Sequence, residues 1–160
     1  MPLDKDIAER LSPNARVHLR GEDKYFVQSY QYGTTSHKKD DMDPYAVIYP
    51  GDDAVKDIQL LVEEAVKHDF GIAVRSGGHQ YSGQSSTRGD NILIDTSDAF
   101  EDFKYPSDED KDLALVGVSL SLDQMNRELR EKDLFVPHGQ CLHVHLGGHV
   151  QTGRLFSFCI

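Results

Sequence analysis

The residues best suited to chemistry fall in two short stretches. The first is Arg75-Ser76-Gly77-Gly78-His79-Gln80-Tyr81, which follows the β-branched run Ile72-Ala-Val74. Paired glycines open positive φ and remove two Cβ atoms, so consecutive N–H groups can turn inward around an anion such as a pyrophosphate. His79 then sits on the turn as a nucleophile, a ligand or a hydrogen-bond donor, and the loop alone does not choose. It is not a dinucleotide fingerprint, because no G-x-G-x-x-G opens a helix, and no Lys-Ser or Lys-Thr follows to make it a Walker loop. A plain surface turn is the competing reading. Arg75 reads equally as a phosphate or ribose contact and as a salt bridge at a strand end, and Tyr81 reads as packed against the loop.

The second stretch runs from Pro137 through His138, Gly139, Cys141, His143, Val144, His145, Gly147, Gly148 and His149 to Gly153. It holds four of the eight histidines and a second Gly-Gly-His. Cys141, His143, His145 and His149 alternate so that a strand would present three of them on one face, and thiolate and imidazole are good zinc or copper ligands. Against a metal, such sites usually draw ligands from a second segment, and the repeated Gly-Gly again suggests backbone that meets something closely.

The elements that must position these stretches read as α+β. Ala46-Val-Ile-Tyr49 is a strand closed by Pro50-Gly51. Over residues 52–68 the apolar positions Ala54, Ile58, Leu61, Val62, Ala65 and Val66 share one helix face, with Gly71 as the C-terminal exit. Ile72 to Arg75 completes a βαβ unit, and Ile92-Leu-Ile-Asp95 is a further strand. A polar break at Tyr105 to Lys111 separates a second lobe. There Leu113 to Val118 reads as a strand, Ser121 to Lys132 as a helix with Ser121 and Gln124 spaced as a capping box, and Leu134-Phe-Val136 as a strand resuming the sheet. Residues 1–43 read as an arm and surface loop, 44–104 and 112–153 as the two lobes, and 154–160 as an atypical tail.

Composition bounds the partners. A chain of 160 residues with formal net charge −10 and no basic run is poorly suited to nucleic acid or an anionic membrane surface. A bound phosphate must rely mostly on backbone N–H groups. Two cysteines, Cys141 and Cys159, make no disulfide framework. No signal-like or bilayer-length apolar run is present, so a cytoplasmic protein is expected.

Together, the two Gly-Gly-His stretches, the Gly-x-Cys before the second, and Pro44-Tyr-Ala-Val-Ile-Tyr-Pro50 leading into the helix are far more specific than any one alone. Over residues 25–153 they resemble the FAD-binding PCMH-type domain of the FAD-linked oxidases, most closely the berberine bridge enzyme-like branch. The resemblance implies a PCMH-type fold with two α/β lobes, the second incomplete. It implies that residues 75–81 wrap the FAD pyrophosphate, that His79 bonds covalently to the flavin 8α-methyl through a neutral ring nitrogen, and that Cys141 is a second attachment point, at flavin C6. Gly139, Gly147, Gly148, His149 and Gly153 match the second flavin-contacting loop, and Val144 matches a small apolar residue at the oxygen-reactive face. The implied reaction is hydride transfer from a substrate C–H to flavin N5 with reoxidation by dioxygen, the small-molecule substrate being held by a domain outside this sequence.

Two departures stand out. His145 occupies a position where the family usually has Gly, and Arg154-Leu-Phe-Ser-Phe-Cys-Ile160 replaces the family's continuation. The tail reads as the end of an altered reading frame or incomplete gene, leaving an open, association-prone second lobe with no identifiable catalytic base. Two alternatives remain: an inactive truncated remnant of the same fold, and a metal-binding protein built on Cys141, His143, His145 and His149.

Overall fold

The structure is a computed structural model that describes residues 6–31, 42–86, 89–107 and 113–152. Its elements in order are α1 (Asp6–Arg10), β1 (Arg16–Leu19), α2 (Tyr25–Ser29), β2 (Pro44–Tyr49), α3 (Ala54–His68), β3 (Gly71–Arg75), a 3-10 turn (Gln84–Ser86), β4 (Gly89–Asp95), β5 (Phe103–Lys104), β6 (Leu115–Val116), α4 (Leu122–Arg130) and α5 (Leu146–Thr152). The architecture is α+β, as expected.

The first lobe is a four-stranded sheet in the order β1-β2-β4-β3. β2, β4 and β3 run parallel, and β1 closes the edge antiparallel to β2. The expected strand–helix–strand unit is present, but β4 lies between its two strands. Alternation along β2 and β4 feeds both faces. Ala46, Ile48, Ile92 and Ile94 pack with Leu61 and Ala65 of α3, whereas Val47, Tyr49, Ala73 and Leu93 pack with Tyr25 on the other side. α3 starts at Asp53, whose side chain accepts from the Lys56 N–H, and exits through Asp69 in the left-handed region at φ 58°. The expected exit, Gly71, instead opens β3; Asp visits the left-handed well more readily than most residues bearing a Cβ, because its short carboxylate can hydrogen-bond locally.

Residues 6–31 carry more of the fold than an arm and surface loop would. Ile7 and Leu11 enter the core beneath α3, and β1 adds a strand. The segment's polar sequence hides this because Ile7 and Leu11, one helical turn apart, are its few buried apolar residues on the α1 face that meets the core. Buried Asp57 accepts from the Ser12 N–H at 2.8 Å, the Ser12 hydroxyl at 2.6 Å and the Gly51 N–H at 2.7 Å, tying this segment to α3.

The second lobe is smaller. α4 begins at the expected capping box, with Gln124 N–H donating to Ser121 Oγ at 3.2 Å and Ser121 N–H to Gln124 Oε1 at 2.8 Å. Leu122, Met125 and Leu129 of α4 form its core with Leu120, Val144 and Leu146. Residues 134–136 do not resume a sheet. They run irregularly along an apolar cavity of about 590 Å³ lined in part by Phe103, Tyr105, Leu129 and Phe135, and the ladder of this lobe among the described residues is the two-residue pairing of β5 and β6. The tail 154–160 lies outside the described residues, as do residues 108–112 of the expected break.

Gly117 joins the lobes at close quarters. A Cβ there would lie 1.8 Å from the Phe100 carbonyl oxygen, so backbone must shift to admit one. Gly117→Ala is expected to lower stability by about 3 kcal/mol, seen as a reduced urea midpoint at unchanged slope.

Candidate functional site

The first glycine stretch leaves β3 at Arg75 and turns at Gly78, whose φ is 66°. Arg75 is 6% exposed, and its guanidinium is fully engaged within the protein. Nε donates to Asp95 Oδ2 at 2.6 Å, Nη1 to Ser86 Oγ at 3.0 Å and to the carbonyls of Tyr30 and Ser29 at 3.1 and 3.3 Å, and Nη2 to the Gln28 carbonyl at 2.6 Å. Of its two readings the salt bridge at a strand end is the one its side chain takes. Its backbone carbonyl accepts from Thr96 N–H at 2.8 Å, fixing where the loop begins.

The rest of the turn is braced from the N-terminal segment. Buried Gln31 donates from Nε2 to the Gln80 carbonyl and accepts at Oε1 from the Ser85 hydroxyl at 2.9 Å, while Ser85 N–H donates to Gln80 Oε1 at 2.9 Å. Gln80 therefore shapes the loop from within. Tyr81 is 61% exposed, correcting the expectation that it packs against the loop; Gln31 and Ser85 already fill that place. His79 is half-buried on the turn.

The second stretch meets the first. A Cβ on Gly77 would lie 2.6 Å from His145 Cδ2, and one on Gly147 would lie 3.1 Å from Ser76 Oγ. Glycine at these two positions lets the backbone of each stretch take a side chain of the other, the His145 ring on Gly77 and the Ser76 hydroxyl by Gly147. His145 bridges to Ser121, and Leu146 and Gly147 donate their N–H groups to the Leu120 and Val118 carbonyls at 2.9 and 2.6 Å. Gly147 thus spends its N–H inside the protein. Beside it, Gly148 has open space where a side chain would stand.

The other members of the stretch scatter. Gly139 is buried, with its carbonyl 2.6 Å from His138 Nδ1, and the other ring nitrogen lies 2.8 Å from Asn126 Oδ1 of α4. Val144 is buried in the second lobe's core, and Cys141 is an exposed free thiol. His149 sits half-buried on α5 and lines the apolar cavity. Gly153 lies outside the described residues.

The metal reading is not supported. Among the described residues no three His, Cys, Asp or Glu side chains are grouped to hold an ion. The physical reason is local: Val144 N–H bonds back to the Cys141 carbonyl at 3.1 Å, so 141–144 is a turn and 146–152 a helix, and the alternation never lies on one strand face.

Burial holds the His145 imidazole below its ordinary pKa, with His143 pushing the same way and Asp95, Glu101 and Asp98 pulling it back up. His18 is lowered by burial and by Arg16. Unfolding therefore takes up protons, and stability should be present above pH 6.5 and fall as pH drops toward the folded values. His145→Phe is expected to flatten part of that slope in urea titrations between neutral and mildly acidic pH.

Among the described residues no helix is long and apolar enough to cross a membrane. The model of the FAD binding domain family matches residues 44–158. FAD-linked oxidoreductase penO of Penicillium crustosum is 36% identical over 116 residues, 72% of this chain and 24% of the relative. Berberine bridge enzyme-like 12 of Arabidopsis thaliana is 24% identical over 152 residues, 94% of this chain and 27% of the relative. A variant of Physcomitrella patens BBE-like 1 shares the fold at TM-score 0.75 and 24% identity, over 93% of this chain and 30% of that one. The chain spans about a quarter of the length of the curated relatives it matches. With its PCMH-type fold and its glycine-lined junction between lobes, the chain belongs to the FAD-binding domain family of the FAD-linked oxidoreductases.

Proposed function

We propose that this chain forms the FAD-binding part of an FAD-linked oxidoreductase, with the cofactor held where residues 76–79 meet residues 145–148. The observation that carries the reading is the junction itself: the His145 ring lies against Gly77, the Ser76 hydroxyl lies by Gly147, and Gly148 beside them has open space where a side chain would stand. With Arg75 committed to Asp95, a pyrophosphate here would be held by backbone N–H groups of the turn, where Gly78 takes the positive φ that such a turn needs.

Residues 76–79 bind the phosphates, Gln31 and Gln80 keep the turn in shape, and His79 is the covalent tether through a neutral ring nitrogen. The exposed thiol of Cys141 is a second tether, and Val144 sets the packing beneath the 145–148 segment. Bound FAD supplies hydride acceptance from a substrate C–H and reoxidation by dioxygen. The small-molecule substrate is bound by sequence beyond this chain.

The test is to express residues 1–160, precipitate the protein in acid and record the visible spectrum of the redissolved pellet. Flavin absorbance in the pellet is the expected result. Flavin in the supernatant alone would overturn the tethers but keep FAD binding, and its absence from both fractions would overturn the reading.

A further inference from the structure

Gln31 is a long polar side chain kept almost wholly from water, 1% exposed, two residues past the end of α2. Its amide can be oriented in one way only. The Gln80 carbonyl accepts and never donates, so Nε2 faces it, which leaves Oε1 to accept from the Ser85 hydroxyl at 2.9 Å. The stem supports the same turn, because a Cβ on Gly78 would stand 3.6 Å from Gln31 Cγ, in ordinary contact. One side chain from the N-terminal segment thus holds both neighbours of His79, Gly78 through its stem and Gln80 through its amide.

Gln31 is itself fixed by the sheet. Arg75 at the end of β3 draws in the carbonyls of Gln28, Ser29 and Tyr30, the three residues before it. The line of support therefore runs from the Arg75–Asp95 pair through residues 28–30 to Gln31, and from Gln31 to the backbone on either side of His79. Such a brace matters most to a side chain that must react. Reacting atoms have to meet at about 3–3.5 Å, and a misplacement of about 1 Å can cost about a hundredfold in rate. Cofactor affinity, spread over many backbone contacts, depends far less on one brace.

We propose that Gln31 is the positioning residue for covalent attachment at His79, setting how fast bound FAD is tethered while leaving its affinity nearly alone. The inference rests on the FAD reading and its His79 tether. Attachment forms a bond between an imidazole nitrogen and the flavin 8α-carbon and breaks one N–H and one C–H bond. The two protons and two electrons released reduce dioxygen to hydrogen peroxide.

The experiment follows acid-stable flavin against time in the full chain, with saturating FAD under air and Cys141→Ala throughout so that His79 alone can react. Gln31→Met keeps a stem on Gly78 and loses both amide bonds; Ser85→Ala loses only the bond to Oε1. Noncovalent affinity is read by flavin fluorescence after His79→Ala is added to each protein. Attachment should slow tenfold or more in Gln31→Met and about threefold in Ser85→Ala, with affinity changed less than about threefold in both. The Ser85→Ala pair of values decides the matter if Gln31→Met fails to fold. Unchanged attachment rates, or affinity falling in step with rate as a merely structural role requires, would overturn the positioning role and leave FAD binding and the tether standing. No acid-stable flavin in the Cys141→Ala protein itself would overturn the tether, and the inference with it.

Discussion

His79→Ala is expected to leave the protein without its principal acid-stable flavin link. Among the described histidines, His79 alone stands on the turn at Gly78; His145 is pressed on Gly77 with its ring largely covered, His138 is tied to Gly139 and Asn126, and His143 is exposed. Covalent attachment needs a neutral nitrogen held against the flavin edge, and a truncated side chain has none. The pellet from acid precipitation should lose nearly all covalent flavin when Cys141→Ala is combined with His79→Ala, and retain it in Cys141→Ala alone. Retention of acid-stable flavin in the double variant would sink the assignment. Because His79 is only half-buried, the fold should survive, and noncovalent FAD binding should persist at reduced affinity.

Asp95→Asn should produce the largest loss of stability. The change leaves the Arg75 guanidinium, 6% exposed, buried without its counter-charge at the end of the edge strand β3. Removing one partner of a buried pair costs about 3–5 kcal/mol, a large part of the 5–15 kcal/mol that holds a typical domain together. The loss should reach the cofactor turn as well, because Arg75 holds the carbonyls of Gln28, Ser29 and Tyr30, next to the Gln31 that braces Gln80. Urea unfolding should show the midpoint falling at constant slope, and Arg75→Met combined with Asp95→Leu should recover much of it. A loss under about 1 kcal/mol in Asp95→Asn would show that the pair is not the anchor described.

Much of this was legible in the residues, for reasons that differ by element. β2, α3, β3 and β4 are strongly periodic, so their existence followed from pattern, and the capping box at Ser121 and Gln124 stood in the spacing. The Arg75–Asp95 pair was also signalled: Ile72-Ala-Val74-Arg75 and Ile92-Leu-Ile94-Asp95 are matching strands ending in opposite charges, and the sheet sets them in register. Gln31 was not legible. Its role depends on a chain reversal that brings a polar segment over the turn, and nothing local marks it. The strand expected at 134–136 failed because three apolar residues in a row suit a cavity rim as well as a strand, and only pairing distinguishes them. Alternation at Cys141, His143 and His145 misled for a related reason, since a single turn hydrogen bond from Val144 to Cys141 removes the period on which a metal face depends. The meeting of Gly77 with His145 was not legible in the residues; only the fold places the two in contact.

Hydrogen–deuterium exchange of the full chain with and without added FAD tests the central claim most directly. Protection should rise together at residues 76–80 and 145–149, with little change along α3. Protection confined to one of the two stretches, or appearing on the far side of the sheet, would contradict a cofactor held at their junction.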